Sequence, residues 1–599
     1  MRSTQTYRAA IPAMKNKPNV LIILTDDQGW GDLGCHGNPW LQTPHLDRLH
    51  DESVRLTDFH MQPLCTPSRG ALMTGRSPLR NGAWATCWGR SILGAGERTM
   101  AEVFTAGGWR TGLFGKWHLG DNYPYRPFDR GFTHVVAHKG GGVGQTPDFW
   151  GNRYFDDTYF HNGQPRPHAG YCTDIWFDEA RCWIDEGGDE PFLAIISTNA
   201  PHTPHLVEEH WAAPYRNDPR IPIPEFCGMI ANIDHNVGLL REFLAQRGLA
   251  ENTLVIFSTD NGGKGGWIDG RGYNGGMRGT KSSFYEGGHR VPCFLHHPAG
   301  DLVGGRDLPG LTCVMDLLPT LAGWCGLTLP DDRPYDGIDL SQALQGTESV
   351  PAGRCITLQY RQATNPPEQF ENCIASDSWR LVQGRELYDV ASDPGQEHDL
   401  ADAYPEVVAQ LRAGHTRLWS EVAPDLAAYH PITLGSDAEN PARLDAMDVL
   451  GDVAWHQTHI IAAQRSTGTW CVRFDRPGRY RFRLRRWPEE SGLGLTDAAP
   501  APHIEQAFKD MNAARRGLTA QHLPICGASL TVAGTHQEAE VQVAAACAVF
   551  DCTIIDCTPG RLEAWFHLAN GERCGAYYVN VERLVDAEPG RGSSPEAQP

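Results

Sequence analysis

Three short runs of apolar residues, far apart in the chain, constrain its fold more than any other feature. They cover residues 19–24, 192–196 and 253–258. Each run has the length of a strand and is mostly apolar, without the polar alternation of a half-exposed strand. Strands buried on both faces have this pattern, and they occur between helix layers in parallel sheets. With helical candidates at residues 99–106 and 232–246, the sequence predicts an α/β fold in which helices flank a large, mainly parallel central sheet.

Changes of pattern along the 599 residues predict five regions. Residues 1–17 are an N-terminal tail, and residues 18–330 form the α/β domain. Residues 331–434 are predicted to be a smaller α+β subdomain, with strands at 355–360, 379–382 and 386–388 and a helix at 405–422. Residues 435–587 carry short alternating runs between turns, which indicate a β-rich region resembling all or part of a β-sandwich. Residues 588–599 are rich in Pro, Gly, Ser and charge and are predicted to be disordered.

Charge and hydrophobicity limit the partners of the chain. Its formal net charge of -20 argues against nucleic acid, which requires clustered basic residues. The run at residues 20–24 is far below the roughly 20 residues that span a bilayer, so we expect no membrane contact. The N-terminus lacks the apolar stretch of a signal peptide, and the 17 cysteines have no framework spacing. We therefore expect a soluble, cytoplasmic protein, and the β-rich region could serve subunit contacts in a homo-oligomer.

Two of the apolar runs are followed by the same kind of polar residues. Asp26 and Asp27 come after the first run, and Asp260 and Asn261 come after the third. Ligands of open α/β sheets lie beyond the carboxyl ends of the strands, so these four side chains converge if the strands are neighbours. Such a set suits a hard cation such as calcium or magnesium. Capping of the following helices would explain one such pair, but the repetition favours a metal.

The most specific segment is residues 65–76, CTPSRGALMTGR. It resembles the first sulfatase signature, in which the cysteine is converted to Cα-formylglycine by a separate maturation enzyme. Residues 115–120, GKWHLG, resemble the second signature. The Asp26-Asp27 and Asp260-Asn261 pairs, GTK at 279–281 and EGGHRVP at 286–292 follow in the order of that family. The chain is therefore identified as a member of the formylglycine-dependent sulfatases, in the alkaline phosphatase-like superfamily, over about residues 18–431.

The resemblance implies a cofactor and a nucleophile. Asp26, Asp27, Asp260 and Asn261 would hold one Ca2+, in preference to Mg2+ or Mn2+, together with an oxygen of modified Cys65 or of the substrate. The hydrate of the formylglycine offers two hydroxyl groups, of which one attacks sulfur. The other then loses its proton and expels sulfate, a route that a serine ester lacks. The implied reaction is hydrolysis of an aryl or carbohydrate sulfate monoester.

The resemblance also assigns roles to five further side chains. Arg69 would hold and polarise the formylglycine, and Lys116 would bind both it and a sulfate oxygen. His118 would be the base of the elimination step. His202 and Lys281 would contact the sulfate and the leaving oxygen, and either could protonate it; His205 is the less favoured alternative to His202. Singly, such residues are usually surface charges or structural histidines, so the assignments depend on the whole set.

Two other functions compete with this interpretation. A phosphonate monoester hydrolase or phosphodiesterase of the same superfamily would share the metal ligands and could share the formylglycine. A non-catalytic protein with this fold could bind sulfated glycans. The second alternative is disfavoured because Cys65, Arg69, Lys116 and the acidic metal ligands are all present.

Overall fold

The computed structural model describes residues 17–330, 332–500, 520–542 and 544–584. The predicted N-terminal tail, apart from residue 17, and the predicted disordered segment at 588–599 lie outside these residues. The chain divides into two compact units. Among the described residues, the larger contains 17–121, 125–330 and 332–430, and the smaller contains 122–124, 431–500, 520–542 and 544–584.

Twelve strands belong to the sheets of the first three hundred or so residues. They are β1 (Asn19–Thr25), β2 (Val54–His60), β3 (Arg110–Lys116), β4 (His134–His138), β5 (Thr158–His161), β6 (Gln164–Pro167), β7 (Phe192–Ser197), β8 (Thr253–Thr259), β9 (Trp267–Ile268), β10 (Arg271–Gly272), β11 (Cys293–His296) and β12 (Arg306–Cys313). Ten of them form one sheet in the order β12-β2-β11-β8-β1-β7-β3-β4-β5-β6, while β9 and β10 pair separately.

The centre of this sheet is parallel. Strands β8, β1, β7, β3 and β4 run in one direction. On one side of them β11 is antiparallel to β8 and β2, and on the other side β5 is antiparallel to β4 and β6. All three apolar runs are neighbours there, in β1, β7 and β8. Alternate residues of β1 enter two different apolar cores, with Ile22 on one side and Ile23 on the other. This two-sided burial explains the absence of polar alternation and confirms the predicted fold class.

Twelve α-helices lie within the described residues. They are α1 (Pro44–Glu52), α2 (Cys65–Thr74), α3 (Pro78–Asn81), α4 (Met100–Ala106), α5 (Cys172–Glu186), α6 (Glu209–Ala212), α7 (Pro224–Gln246), α8 (Glu286–His289), α9 (Leu317–Cys325), α10 (Ser341–Leu344), α11 (Pro405–Val422) and α12 (Gln457–Ile461). Helix α4 begins where the sequence predicts, because Thr99 and Glu102 form a capping box. Helix α7 begins eight residues before the predicted 232, with Pro224 in its first turn.

A small antiparallel sheet follows within the larger unit. Its strands are β13 (Ile356–Gln359), β14 (Asn372–Ser376), β15 (Trp379–Val382) and β16 (Glu386–Asp389), in that order. Helix α11 packs on it through Leu411, in a core with Ile374 and Leu381. The strands and the helix predicted for this α+β region are therefore present.

The smaller unit is built from two further sheets. Its strands are β17 (Ile432–Leu434), β18 (Ala442–Asp445), β19 (Thr469–Phe474), β20 (Gly478–Arg485), β21 (Ile525–Val532), β22 (Thr535–Glu540), β23 (Ala548–Ile554), β24 (Gly560–Leu568), β25 (Arg573–Gly575) and β26 (Tyr578–Leu584). One sheet has the order β17-β19-β24-β21-β22 with β25 beside β24, and the other has the order β18-β26-β20-β23. Phe474 of the first sheet contacts Tyr480 and Phe482 of the second, which confirms the predicted β-rich C-terminal region.

Two further observations bear on the environment of the chain. Within the described ranges, no helix combines the length and the apolar character needed to cross a bilayer. All 17 cysteines lie in these ranges, and none of them forms a disulfide.

Candidate active site

The predicted site residues meet at one edge of the central sheet because its strands are parallel. Thr25 pairs with Thr259 at the ends of β1 and β8, so Asp26 and Asp260 leave the sheet side by side. Asp260 N donates to the carbonyl of Thr25, which fixes the two turns to each other. Lys116 is the last residue of β3 at the same edge. Neighbouring strand ends therefore bring together groups that are up to 234 positions apart in sequence.

Close backbone packing shapes this edge. Gly115 of β3 has φ +106°, and a Cβ atom there would lie 2.1 Å from the carbonyl oxygen of Ser197. Only glycine fits this position without displacing β7. Asp27 and His118 also have positive φ values, of 63° and 60°. Non-glycine residues in this conformation are costly, and they cluster at functional sites.

Cys65 is the first residue of α2 and is 2% exposed. Its thiol donates to Asp26 Oδ1 over 3.6 Å and accepts from Lys281 Nζ over 3.3 Å. The N-terminus of a ten-residue helix favours negative charge at this position. Burial nevertheless raises the pKa of the Cys65 thiol to about 12, against the effect of Lys116 and Lys281. An unmodified thiol here stays protonated at neutral pH and is a poor nucleophile.

The predicted metal ligands form one buried cluster. One side-chain atom each of Asp26, Asp27, Cys65 and Asp260 lies within 4.8 Å of the others. Asn261 Nδ2 donates to Asp27 Oδ1 over 2.8 Å, so the amide joins the same group. Burial and the charge of Asp26 raise the pKa of Asp260, against the charges of Arg69 and Lys116, as expected for neighbouring carboxylates that repel each other.

Two oxygen atoms in this cluster have unused acceptor capacity. Asp27 Oδ2 and Asn261 Oδ1 are buried and accept no hydrogen bond from the described residues. His202 Nε2 lies 3.7 Å from Asp27 Oδ2, too far for a hydrogen bond. Buried oxygen atoms of this kind are costly unless something binds them. A hard divalent cation fits these donors, because carboxylate and amide oxygens are its preferred ligands.

Three cationic side chains surround the acidic cluster. Arg69 donates through Nε and NH2 to Asp260 Oδ2, at 3.1 and 2.8 Å. Lys116 Nζ lies 2.6 Å from Asp26 Oδ2, and Lys281 Nζ lies 2.5 Å from Asp27 Oδ1. Burial alone would raise the pKa of Asp27, but the charge of Lys281 and hydrogen bonds from Lys281 and Asn261 hold it well below its usual range. Three buried cations thus balance three buried carboxylates.

The two predicted catalytic histidines differ in their free nitrogen atoms. His118 Nε2 lies 3.2 Å from the carbonyl oxygen of Thr86, which accepts only, so Nε2 carries the proton. His118 Nδ1 is buried, has no partner among the described residues, and therefore presents a lone pair. Burial and the charges of Lys116 and Arg69 hold the pKa of His118 well below its usual value. A neutral imidazole with a free lone pair is suited to act as a base.

His202 has the opposite arrangement. Its Nδ1 lies 2.7 Å from the carbonyl oxygen of Thr203, so Nδ1 donates and Nε2 is directed toward Asp27. His205, the less favoured candidate in the sequence, is buried against Phe226 with ring centroids 5.6 Å apart. All ten predicted site residues therefore lie in or beside one cluster.

The sequence interpretation missed one residue of this arrangement. Ser197 Oγ accepts a hydrogen bond of 2.5 Å from Arg69 NH1, and Arg69 NH1 also donates to the carbonyl of Lys116. Ser197 is the last residue of β7, directly after an apolar run. The signal that identified Asp26 and Asp260, a polar residue at the end of a buried strand, was therefore present for Ser197 as well.

The sheet and the buried site at its edge define a class, the alkaline phosphatase-like superfamily, to which the structural neighbours belong. A family model described as Sulfatase matches residues 18–327. The chain belongs to the sulfatase family. It is 31% identical to Arylsulfatase A of Homo sapiens over 472 residues, which is 69% of this chain and 89% of that protein. It is also 31% identical to the Steryl-sulfatase of Mus musculus over 417 residues, which is 55% of this chain and 65% of that protein.

A solved structure agrees with these relatives. The crystal structure of Ps i-CgsB in complex with k-i-k-neocarrahexaose aligns with a TM-score of 0.62 and 26% identity, over 69% of this chain and 95% of that chain. The protein is therefore a sulfuric ester hydrolase, of a family whose general mechanism uses a formylglycine and a metal site.

Proposed function

We propose that the chain hydrolyses an aryl or carbohydrate sulfate monoester through a formylglycine made from Cys65, with Ca2+ held by Asp26, Asp27, Asp260 and Asn261. The observation that carries the proposal is the position of Cys65 at the start of α2, among four oxygen-bearing side chains and Lys281. The names of three relatives, Arylsulfatase A, Steryl-sulfatase and N-acetylgalactosamine-6-sulfatase, indicate aryl, steryl and amino-sugar sulfates as their substrates. These names support a sulfate monoester as the substrate of this chain.

The donor set supports calcium as the resident metal. Asp27 Oδ2 and Asn261 Oδ1 accept no hydrogen bond within the part of the chain that the structure describes, and Asp26 and Asp260 add carboxylate oxygens. A bound Ca2+ would stabilise negative charge on oxygen and lower the pKa of a hydroxyl group beside it. Modified Cys65 offers such hydroxyl oxygens, whereas the encoded thiol is a soft donor that suits calcium poorly.

Charge in the site supports binding of a sulfate ester. The negative charges of the three carboxylates equal the positive charges of Arg69, Lys116 and Lys281. A bound divalent cation would therefore give the site a net charge of plus two. A sulfate monoester brings one negative charge and gains more as its ester bond breaks. Lys116 and Lys281 are proposed to bind the sulfate oxygens, because both ammonium groups already lie beside Cys65 or the ligand Asp26. Fixed donors of this kind are worth about 3 kcal/mol each in the transition state.

Arg69 is proposed to position modified Cys65. It lies one helical turn after Cys65 on α2, and its guanidinium is held by Asp260 and Ser197. His118 is proposed as the base that removes a proton during release of sulfate, since its Nδ1 lone pair is free. Lys281 and His202 are proposed to contact the leaving oxygen. Lys281 carries protons that it can donate, whereas the Nε2 of neutral His202 does not.

Three further proposals concern the environment of the protein. Cys65 is buried, so a formylglycine-generating maturation enzyme has to act before the chain folds or on an opened form.

A reducing, cytoplasmic location is supported by 17 cysteines without a disulfide. The smaller unit could mediate contacts in a homo-oligomer, which light scattering would test.

The experiment that tests the proposed reaction is a comparison of rates on an aryl sulfate, a phosphonate monoester and a phosphate diester. We expect the sulfate to be hydrolysed fastest, and Cys65→Ala to abolish that activity. Cys373→Ala is the matched control, because Cys373 is also buried and free but lies in the small β13–β16 sheet. Full sulfatase activity in Cys65→Ala would overturn the mechanism, and a faster phosphonate or diester reaction would change the substrate class.

A further inference from the structure

A second group of ligand-type side chains lies at the β5–β6 side of the central sheet. His161 ends β5, His168 follows β6, and Glu179 is in the middle of α5. His161 Nε2 is 3.0 Å from His168 Nε2, which in turn is 3.2 Å from Glu179 Oε1. Three strands separate β5 from β1, which at about 4.8 Å per strand puts this cluster well away from Asp26.

The separations match those of metal ligands. Zinc binds histidine nitrogen at about 2.0–2.1 Å in tetrahedral geometry, so two of its ligand atoms lie about 3.3 Å apart. The two measured distances are close to this value, and both imidazole rings approach through Nε2. Two histidines and a carboxylate, with a fourth position open, are also a ligand set that zinc uses.

The assignment of donor and acceptor nitrogens in His168 also indicates a bound cation. His168 Nδ1 lies 3.1 Å from the carbonyl oxygen of Arg166 and therefore donates to it. In a neutral imidazole, this leaves a lone pair on His168 Nε2, facing the carboxylate of Glu179 and the Nε2 of His161. Two acceptors, His168 Nε2 and Glu179 Oε1, then lie 3.2 Å apart with no proton between them, and a metal ion satisfies both. A backbone carbonyl that orients the second nitrogen of a histidine is a usual feature of metal sites.

A fourth nitrogen lies on the same side of the sheet. His161 pairs with Val136 in the β4–β5 register, so His134, two residues earlier in β4, shares its face. His134 Nε2 is buried and has no hydrogen-bond partner among the described residues. The side chains of His168 and Glu179 are 12% and 29% exposed, so an ion can enter from solvent.

We propose that His161, His168 and Glu179 bind a divalent transition metal ion of the zinc type, with water or His134 as the fourth ligand. The ion joins the β5–β6 hairpin, at the edge of the sheet, to helix α5. It is separate from the calcium site and takes no part in sulfate ester hydrolysis.

A zinc titration tests this proposal on the full-length protein. Metal-depleted protein in excess calcium is titrated with Zn2+ in competition with a chromophoric chelator, and Co2+ is used to detect tetrahedral absorption bands. We expect His161→Ala/His168→Ala to lose one zinc equivalent, with affinity at that site falling by at least about 100-fold. His210→Ala is the matched control, because His210 lies 3.6 Å from Glu208 in a simple histidine–carboxylate pair. Its zinc binding should equal that of the wild type.

Zinc-soaked crystals of the wild type keep the test independent of how the variants fold. An anomalous peak between His161, His168 and Glu179 is expected. Equal zinc binding by the wild type and the double variant, or an anomalous peak only elsewhere, would overturn the proposal. In that case, His168 and Glu179 form a histidine–carboxylate hydrogen bond without a metal ion.

Discussion

Lys116 Nζ lies 2.6 Å from Asp26 Oδ2, and both side chains are fully buried. A carboxylate proposed to bind calcium therefore already has a cationic partner within the fold. Breaking a buried pair leaves one uncompensated charge, which is strongly destabilising. The acidic cluster consequently depends on its lysine and arginine neighbours as well as on metal.

Lys116→Met should destabilise the protein by about 3–5 kcal/mol when calcium is absent, because Asp26 loses its partner. Excess calcium should reduce this loss, since the metal can compensate the same carboxylate. Urea unfolding with calcium and with a calcium chelator measures both values, and Lys17→Met serves as an exposed control. Equal losses in the two conditions would argue against calcium binding at Asp26.

Arg69→Lys should lower kcat by about 100- to 1,000-fold, although charge is retained. Lysine cannot reach Asp260, Ser197 and the Lys116 carbonyl together, as the planar guanidinium does. Steady-state kinetics on an aryl sulfate measures the effect. Arg181→Lys, in the surface pair with Asp178, should leave kcat unchanged. A fully active Arg69→Lys enzyme would remove the positioning role.

His118→Gln should reduce kcat by about 100- to 10,000-fold, as expected for loss of a general base, and change KM little. Glutamine keeps a polar group near the Thr86 carbonyl but cannot take up a proton. His210→Gln provides an exposed control. A large rise in KM with unchanged kcat would instead assign His118 to substrate binding.

Much of this site was predictable because strand ends are visible in a sequence. Apolar runs followed by Asp or Asn predicted Asp26 and Asp260, and the parallel sheet makes those ends neighbours. The fold class followed from the same runs, since β1 contributes to cores on both of its faces. The length of helix α11 was also predictable, because Pro405 begins it and its apolar face is periodic.

Other features depend on contacts that no local pattern encodes. Ser197 was visible as a polar residue at the end of a buried strand, but its hydrogen bond with Arg69 requires α2 to pack over the end of β7, which only the tertiary structure shows. The strand β23 follows a segment without a clear turn signal and was not predicted. The left-handed backbone at Asp27 and His118 is likewise set by the surrounding packing, because neither residue type demands it.

The stability of the protein should decrease between about pH 4 and pH 7 through Asp234. Burial raises the pKa of Asp234 to about 7, against hydrogen bonds from the Leu46 and His45 backbone. In this interval the folded state keeps a proton that the unfolded state has released, so rising pH favours unfolding. Above pH 7, Asp234→Asn should therefore be more stable than the wild type by a margin on the order of 3 kcal/mol.

Thermal unfolding at pH 4, 6 and 8 checks this prediction. The difference in Tm between Asp234→Asn and the wild type should grow with pH. Glu242→Gln removes an exposed carboxylate from the same helix and should give a difference that is small at every pH. A constant difference for Asp234→Asn would show that Asp234 does not retain its proton in the folded state.

The most direct test of the central claim is peptide mass spectrometry of the segment that contains Cys65, on protein made with and without the maturation enzyme. We predict that the active preparation carries an aldehyde or its hydrate at Cys65, in proportion to its specific activity. The unmodified preparation should retain the thiol and hydrolyse sulfate esters slowly. Full activity in protein whose Cys65 remains entirely a thiol would contradict the account.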